Sequence, residues 1–363
     1  TPASDSLETP PSSEETQDAP SSSSTAPASN FRYSLGGLLE ARFGLNSSGV
    51  LTGLSAYTLK FNGSLGAEDS PTAAFSANLR SSVDQSGFTS INLGETVLTA
   101  YVGDFDLQAG NLLVNWGAVD VFGVVSTVNP QDFATQERIP VPVVRVLWNI
   151  SEDRRLEGVF APGFTPSSLP PRSSVPVSTL PPNVVGLDPV MDNRPANTLE
   201  NAQFGVRYSS DLDVFDGGDL SVSLYSGPRH TPTPSIRLNP TEVAGQFRAQ
   251  TVLNYDQIYV LGADTNLSIG DVAVRAEAAY TFTEDSSGTN PKIGNPALEG
   301  TVQAEYTLGK VNLTGVLNAR WQKGESGSSD PIRVNTAVIA STELDTRTIL
   351  SGVWVQSLTD GSG

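Results

Sequence analysis

Phe31, Tyr33, Leu35, Gly37, Leu39, Ala41, Phe43 and Leu45 occupy consecutive odd positions, with Arg32, Ser34, Glu40 and Arg42 among the even ones. Side chains of an extended chain point alternately to opposite faces, so this stretch reads as a strand with one apolar and one charged face. Its length constrains the fold more than its alternation does, because strands of soluble proteins average only about 5–6 residues. Tyr33 and Phe43 share the apolar face ten residues apart. At ~3.3 Å per residue and a tilt near 40°, that separation is about 25 Å, the height of a lipid-facing band between aromatic girdles. No run in the chain approaches the roughly 18 apolar residues of a spanning helix. A membrane protein of this sequence must then be a closed barrel, the other structure that satisfies its backbone in lipid.

The alternation recurs. Leu51, Gly53, Tyr57, Leu59, Phe61 and Leu65 share one parity after the turn Asn46-Ser47-Ser48-Gly49. Ala73, Phe75, Ala77 and Leu79 form a third strand; Leu93, Val97, Thr99 and Tyr101 a fourth; Leu107, Ala109 and Leu113 a fifth. Later strands set Phe204, Val206 and Tyr208 against Gln203 and Arg207, and Val302, Ala304 and Tyr306 against Gln303 and Glu305. The tight turn Leu308-Gly309-Lys310-Val311 alternates with the longer polar connections Glu284 to Pro296 and Lys323 to Pro331. Short turns on one side and long loops on the other mark an outer-membrane barrel. The predicted fold is all-β: an antiparallel up-and-down transmembrane β-barrel of about 14–16 strands. The predicted division is a disordered Ser/Thr/Pro-rich segment over residues 1–29, too poor in apolar side chains to offset its ordering entropy, and the barrel over residues 30–363. Thr359 to Gly363 reads as a turn, so a further closing strand is expected beyond it; Thr1, with Met191 the sole methionine, reads as the start either of a mature chain whose signal peptide has been removed or of a piece cut from a longer one.

Composition removes several function classes. A formal net charge of -18, without any Lys/Arg-rich run, argues against a nucleic-acid partner. The absence of cysteine removes disulfides, thiolate metal sites and a thiol nucleophile. His230 is the sole histidine and lies in the proline-rich stretch Gly227-Pro228-Arg229-His230-Thr231-Pro232, where it reads as a solvated loop residue. No Gly-x-Ser-x-Gly elbow or phosphate-cradling glycine loop accompanies it. Neither enzyme chemistry, a cofactor nor a metal is therefore expected. Asp211, Asp213, Asp216 and Asp219 lack the spacing of a calcium loop and read as turn residues around Gly217-Gly218.

Two sets of residues are candidates for function. Arg32, Glu40, Arg42, Arg145, Arg207, Arg275, Glu277, Glu305 and Arg320 stand at the polar parity of their strands, where charges set selectivity or simply pair with one another. Arg275 and Glu277, two apart on one face, are the expected pair. The second set lies in Ala109 to Pro170, the one stretch that breaks the hairpin rhythm. It holds Trp116, Gly117, Asp120, Asn129, Pro130 and Asp132, expected to form either a constricting loop folded into the lumen or a surface loop or periplasmic connection with Asn129-Pro130 as a turn.

That same stretch carries a family resemblance. A strand with Gly110 leads to Trp116-Gly117, then to Asn129-Pro130-Gln131-Asp132, the Pro-containing Ile139-Pro140-Val141-Pro142, Leu156-Glu157-Gly158-Val159-Phe160 and the loop Phe164 to Pro170. This order resembles a group of porin-like bacterial outer-membrane barrels of poorly characterised function, with Trp-Gly … Asn-Pro-x-Asp as its signature. The chain departs from the group at Asn111, where Arg or Lys is usual. The resemblance is concentrated in residues 109–170. It implies the outer membrane of a diderm bacterium, lipid as the surrounding partner, and a pore for passive or weakly selective passage of small hydrophilic solutes. The alternative is a non-conducting structural or surface-attachment barrel. A homo-oligomer is compatible with either.

Overall fold

The computed structural model describes residues 31–45, 51–67, 71–83, 89–133, 137–169, 183–324, 332–345 and 348–359. The segment 1–29 lies outside the described residues, as do the side chains of Glu40 and Arg42. The strands, in chain order, begin with β1 (Phe31–Leu45), β2 (Leu51–Gly66), β3 (Pro71–Val83), β4 (Thr89–Val102), β5 (Phe105–Leu112), β6 (Gln131–Asp132) and β7 (Glu137–Arg138). They continue with β8 (Val141–Ser151), β9 (Arg154–Ala161), β10 (Val184–Leu187), β11 (Met191–Asn193), β12 (Gln203–Leu212), β13 (Gly218–Pro228) and β14 (Thr233–Pro240). The last are β15 (Phe247–Asn254), β16 (Gln257–Ile269), β17 (Val272–Thr283), β18 (Ala297–Leu308), β19 (Val311–Gln322), β20 (Ile332–Asp345) and β21 (Thr348–Ser357).

Fifteen of these form one sheet, in the order β1-β2-β3-β4-β5-β8-β9-β12-β13-β16-β17-β18-β19-β20-β21, with antiparallel pairing throughout. This is the up-and-down wall that the alternation predicts. Phe204, Val206 and Tyr208 of β12 are 56%, 48% and 40% exposed on the outer face, whereas Gln203 points inward at 1%. Outward apolar and inward polar side chains are the reverse of a soluble sandwich and match a wall set in lipid.

Two details depart from the simple parity. Ala77 pairs with Thr96 but Leu79 with Leu93, so Gly94 and Glu95 together oppose Asn78. This bulge flips the second half of β4. Val97 and Thr99, expected on the apolar face with Leu93, turn inward and are buried, while Leu98 is exposed. β5 ends at Leu112, and Leu113 already belongs to the following segment instead of the strand.

The connections fall into two sets. The turns between β4 and β5, β8 and β9, β16 and β17, and β18 and β19 are short and lie at one end of the wall. At the other end lie the long connections, described over residues 113–133 and 137–140, 162–169 and 183–202, 229–256 and 284–296. Two of these build a second, smaller sheet: the β14–β15 hairpin, with β10 and β11 running parallel to β15 on its other edge. Asp188 joins the pieces by accepting from Asn239 Nδ2 at 2.8 Å and from Arg248.

Candidate pore constriction

Residues 113–140 leave β5 and return at β8, but between these ends they run along the inner face of the wall as far as β18. The sequence favours this path because the segment carries its own apolar contacts. Val114, Trp116, Val125 and Val128 are nearly inaccessible and pack with inward residues of the wall, Val143, Val159, Tyr225, Ile258 and Val260. Glycines make room for them. A side chain at Gly205 would meet the Trp116 ring at 2.4 Å, and one at Gly262 would meet Val125 at 3.0 Å.

Polar groups of the wall then hold the segment's backbone. Glu277 of β17 accepts from the backbone N–H of Val119 (2.7 Å), Val124 (2.7 Å) and Val125 (3.1 Å). Its carboxylate lies under Gly117, where a Cβ would fall 2.4 Å from Oε1 and where φ is +96°. Only glycine satisfies both demands. Thr301 of β18 donates to the Phe122 carbonyl at 2.7 Å. Phe122 itself has φ +59°, a left-handed conformation that costs a bulky residue strain. Gln303 accepts from the Asp120 N–H at 3.1 Å and donates to the Asp120 carboxylate at 3.0 Å. At the start of the segment, the Trp116 indole donates to Glu157 at 2.7 Å. Asn129 closes the neck: it accepts from Val114 N–H at 2.6 Å and donates to the carbonyls of Leu112 (2.8 Å) and Ile139 (3.0 Å).

The charges of the inner face are mostly paired. Glu157 takes Arg145 with both oxygens at 2.8 Å. Arg207 donates to both oxygens of Asp264, at 2.7 and 2.9 Å. Arg275 meets Asp120 of the inner segment and Glu305 at 2.9 Å. The expected Arg275–Glu277 partnership is thus replaced. Glu277 is spent on the three backbone donors, with the Arg138 guanidinium nearby, and burial lowers the pKa of Arg138 below the usual arginine value. Arg320 is half-buried, and Arg32 lies exposed at the short-turn end, where it donates to the Ala67 carbonyl at 2.9 Å. Pro130 is buried and its carbonyl accepts from Ile139 N–H at 2.8 Å; Asp132 belongs to β6 and bridges to Ser168.

His230 corrects its sequence reading. It is 8% exposed, stacks on Phe164 at 5.7 Å and 6° between ring planes, and its Nδ1 contacts the Thr165 carbonyl at 2.7 Å. The flanking prolines hide the fact that the loop folds back over the interior. Burial lowers its pKa below the ordinary 6.5. Between the lowered value and 6.5 the unfolded chain carries the extra proton, so protonation favours unfolding. Stability from this group is complete above pH 6.5 and is lost as pH falls toward the lowered value. The urea midpoint in micelles should therefore drop between about pH 7.5 and about pH 5.5, and His230→Gln should flatten that part of the profile. An identical profile in the variant would refute this.

Residues 61–349 match the family described as protein of unknown function DUF1302. The chain belongs to the DUF1302 family. No curated protein matches it. Among solved structures, it is similar to the loop L8 deletion mutant of OmpT, an outer membrane protein of Vibrio cholerae, at 10% identity and a TM-score of 0.54, with 91% of this chain and 95% of that one covered. It is also similar to an anion-selective porin from Comamonas acidovorans at 10% identity and a TM-score of 0.52, covering 90% and 89% of the two chains. At that identity the likeness concerns the fold, an outer-membrane β-barrel.

Four residues that hold the inner segment or the charges of the inner face escaped the sequence reading as site residues: Glu157, Asp264, Thr301 and Gln303. The signal was present in their parity. Glu157 alternates with the inward Val159 and Ala161, and Asp264 with Gly262 and Val260. Except for Arg145, which faces Glu157 within the β8–β9 hairpin, what they bond to lies far along the chain and has no local signature.

Proposed function

We propose that this DUF1302 protein is an outer-membrane channel for passive or weakly selective passage of small hydrophilic solutes, with residues 113–140 as its constriction. The observation that carries the reading is the anchoring of that segment on Glu277, Thr301 and Gln303, a wall position remote from its own strands. A loop held against the inner wall narrows the path without closing the sheet. The charge lining beside it is a set of ion pairs with few unmatched charges, which fits weak selectivity better than a strong ionic filter. The Trp116-Gly117 … Asn129-Pro130-Gln131-Asp132 motif falls at the seat and neck of the segment, so its residues serve placement and closure rather than chemistry.

In planar bilayers the purified protein should give discrete conductance steps. Arg275→Gln should shift the reversal potential toward cation preference, because it leaves Asp120 and Glu305 without their cation. Unchanged selectivity would remove Arg275 from the path. The second reading, a non-conducting structural barrel, is favoured by the apolar packing of Trp116, Val125 and Val128 inside the wall. A correctly inserted but silent protein would decide for it.

A further inference from the structure

At the long-loop end, a cavity of about 340 Å³ opens where residues 195–201, 228–257 and 284–293 meet. It belongs neither to the inner segment nor to the charge pairs beside it. Its volume sits at the lower end of the ~300–1,000 Å³ of small-molecule sites. We infer that this cavity is a binding subsite for a neutral polyhydroxylated solute, a saccharide unit, at the outer mouth of the barrel.

The chemistry of the walls selects this class. Gln257 spends one amide N–H on Ser226 at 3.3 Å and keeps its oxygen and second N–H, so it both donates and accepts, as a hydroxyl does. Asn201, whose N–H groups hold Ala196 and Thr198, adds an acceptor oxygen, while Asn254 is tied to Asn193, Thr233 and Ser235 and serves as wall. Tyr255 supplies an aromatic surface held in place: its ring packs edge-on against Phe164 at 5.2 Å, and its hydroxyl lies beside the Asp192 and Arg194 side chains. Pro195, Pro228 and Ile293 add apolar surface for the C–H faces of a ring. A flat aromatic beside carboxamides is the combination that a sugar, apolar on its faces and polar on its rim, requires.

Charged ligands fit less well. Asp256 is 2% exposed and is already engaged by Arg229 at 3.2 Å and by Thr233 at 3.3 Å. That leaves Lys292 and Glu284, one of each sign, so neither an anion nor a cation meets a net field. Among the described residues no group of three or more His, Asp or Glu is placed to hold a metal ion.

The subsite's role as a capture point for solutes entering the channel rests on the proposed pore; its binding does not. The test uses the whole protein in detergent micelles, with ligand-detected saturation-transfer NMR on glucose and maltose, and with zwitterionic alanine and anionic citrate as controls. Saturable binding of the sugars is expected, with neither control competing. Gln257→Leu should weaken it about three- to tenfold, the loss of one hydrogen bond. Tyr255→Leu should weaken it at least as much, and Lys292→Ala, which leaves Gln257 and the Tyr255–Phe164 packing untouched, should change it less than either. Heat-modified migration on gels confirms that each variant is folded. Absence of saturable sugar binding, equal binding of alanine or citrate, or wild-type affinity in Gln257→Leu would each overturn the inference. Bilayer conductance on the same preparations separates the two readings. A conducting barrel that binds no sugar sinks the subsite alone, whereas a silent barrel that binds sugar sinks the pore alone.

Discussion

Glu277→Ala should loosen the inner segment and lower the stability of the barrel by about 3 kcal/mol or more, since a buried donor left without an acceptor costs roughly 1–3 kcal/mol. Three backbone donors, those of Val119, Val124 and Val125, lose their acceptor together. Water entering the vacated space offsets part of the cost at Val119 and Val124, which are less enclosed than Val125. Arg138 loses its nearby carboxylate at the same time. Glu277→Gln keeps one carbonyl oxygen and should cost less, about 1–2 kcal/mol. Urea unfolding in micelles measures both. In bilayers the alanine variant should show larger and noisier conductance steps than wild type. Wild-type stability together with wild-type conductance would show that the segment is held by its apolar contacts alone.

Glu157→Leu should cost about 3–5 kcal/mol, the range for removing one partner of a buried ion pair. Glu157 is 4% exposed and serves two groups: the Arg145 guanidinium, through both oxygens, and the Trp116 indole. The single change strands a cation beneath the wall and unpins the start of the inner segment. The double variant Arg145→Leu/Glu157→Leu should recover most of the loss, because two apolar side chains replace two desolvated charges. A residual deficit of about 1 kcal/mol is then assigned to the Trp116 hydrogen bond. The four urea midpoints of this cycle give the coupling directly. Additive effects of the two single changes would mean that the pair contributes nothing as a pair.

Both predictions concern residues whose facing was legible but whose bonds to the inner segment were not. Glu277 stands at the inward parity of β17, and the alternation Val274, Ala276, Ala278 marks it so. Nothing around Glu277 in the chain points to Val119, because the two are 158 residues apart. The local pattern instead favoured Arg275 as its partner. β4 shows a different limit. Its alternation is continuous through Leu93 and Val97, yet two residues opposite Asn78 shift the face by one. A bulge is a property of the pair of strands, and Gly94 is its only trace in the sequence. His230 shows a third. Proline-rich surroundings indicate an irregular backbone, not an exposed one, and here the loop is folded under Phe164.

Strand length, alternating faces and the contrast between short and long connections were set by the sequence alone, because each depends on neighbours within one hairpin. They determine an antiparallel outer-membrane type of wall with a polar interior. Only the tertiary structure decided that residues 113–140 turn inward, which carboxylates hold them, and that three distant loops border an open cavity at one end. These depend on where the curled sheet brings strands that are far apart in the chain. The backbone donors of an irregular segment must be satisfied wherever the fold places an acceptor.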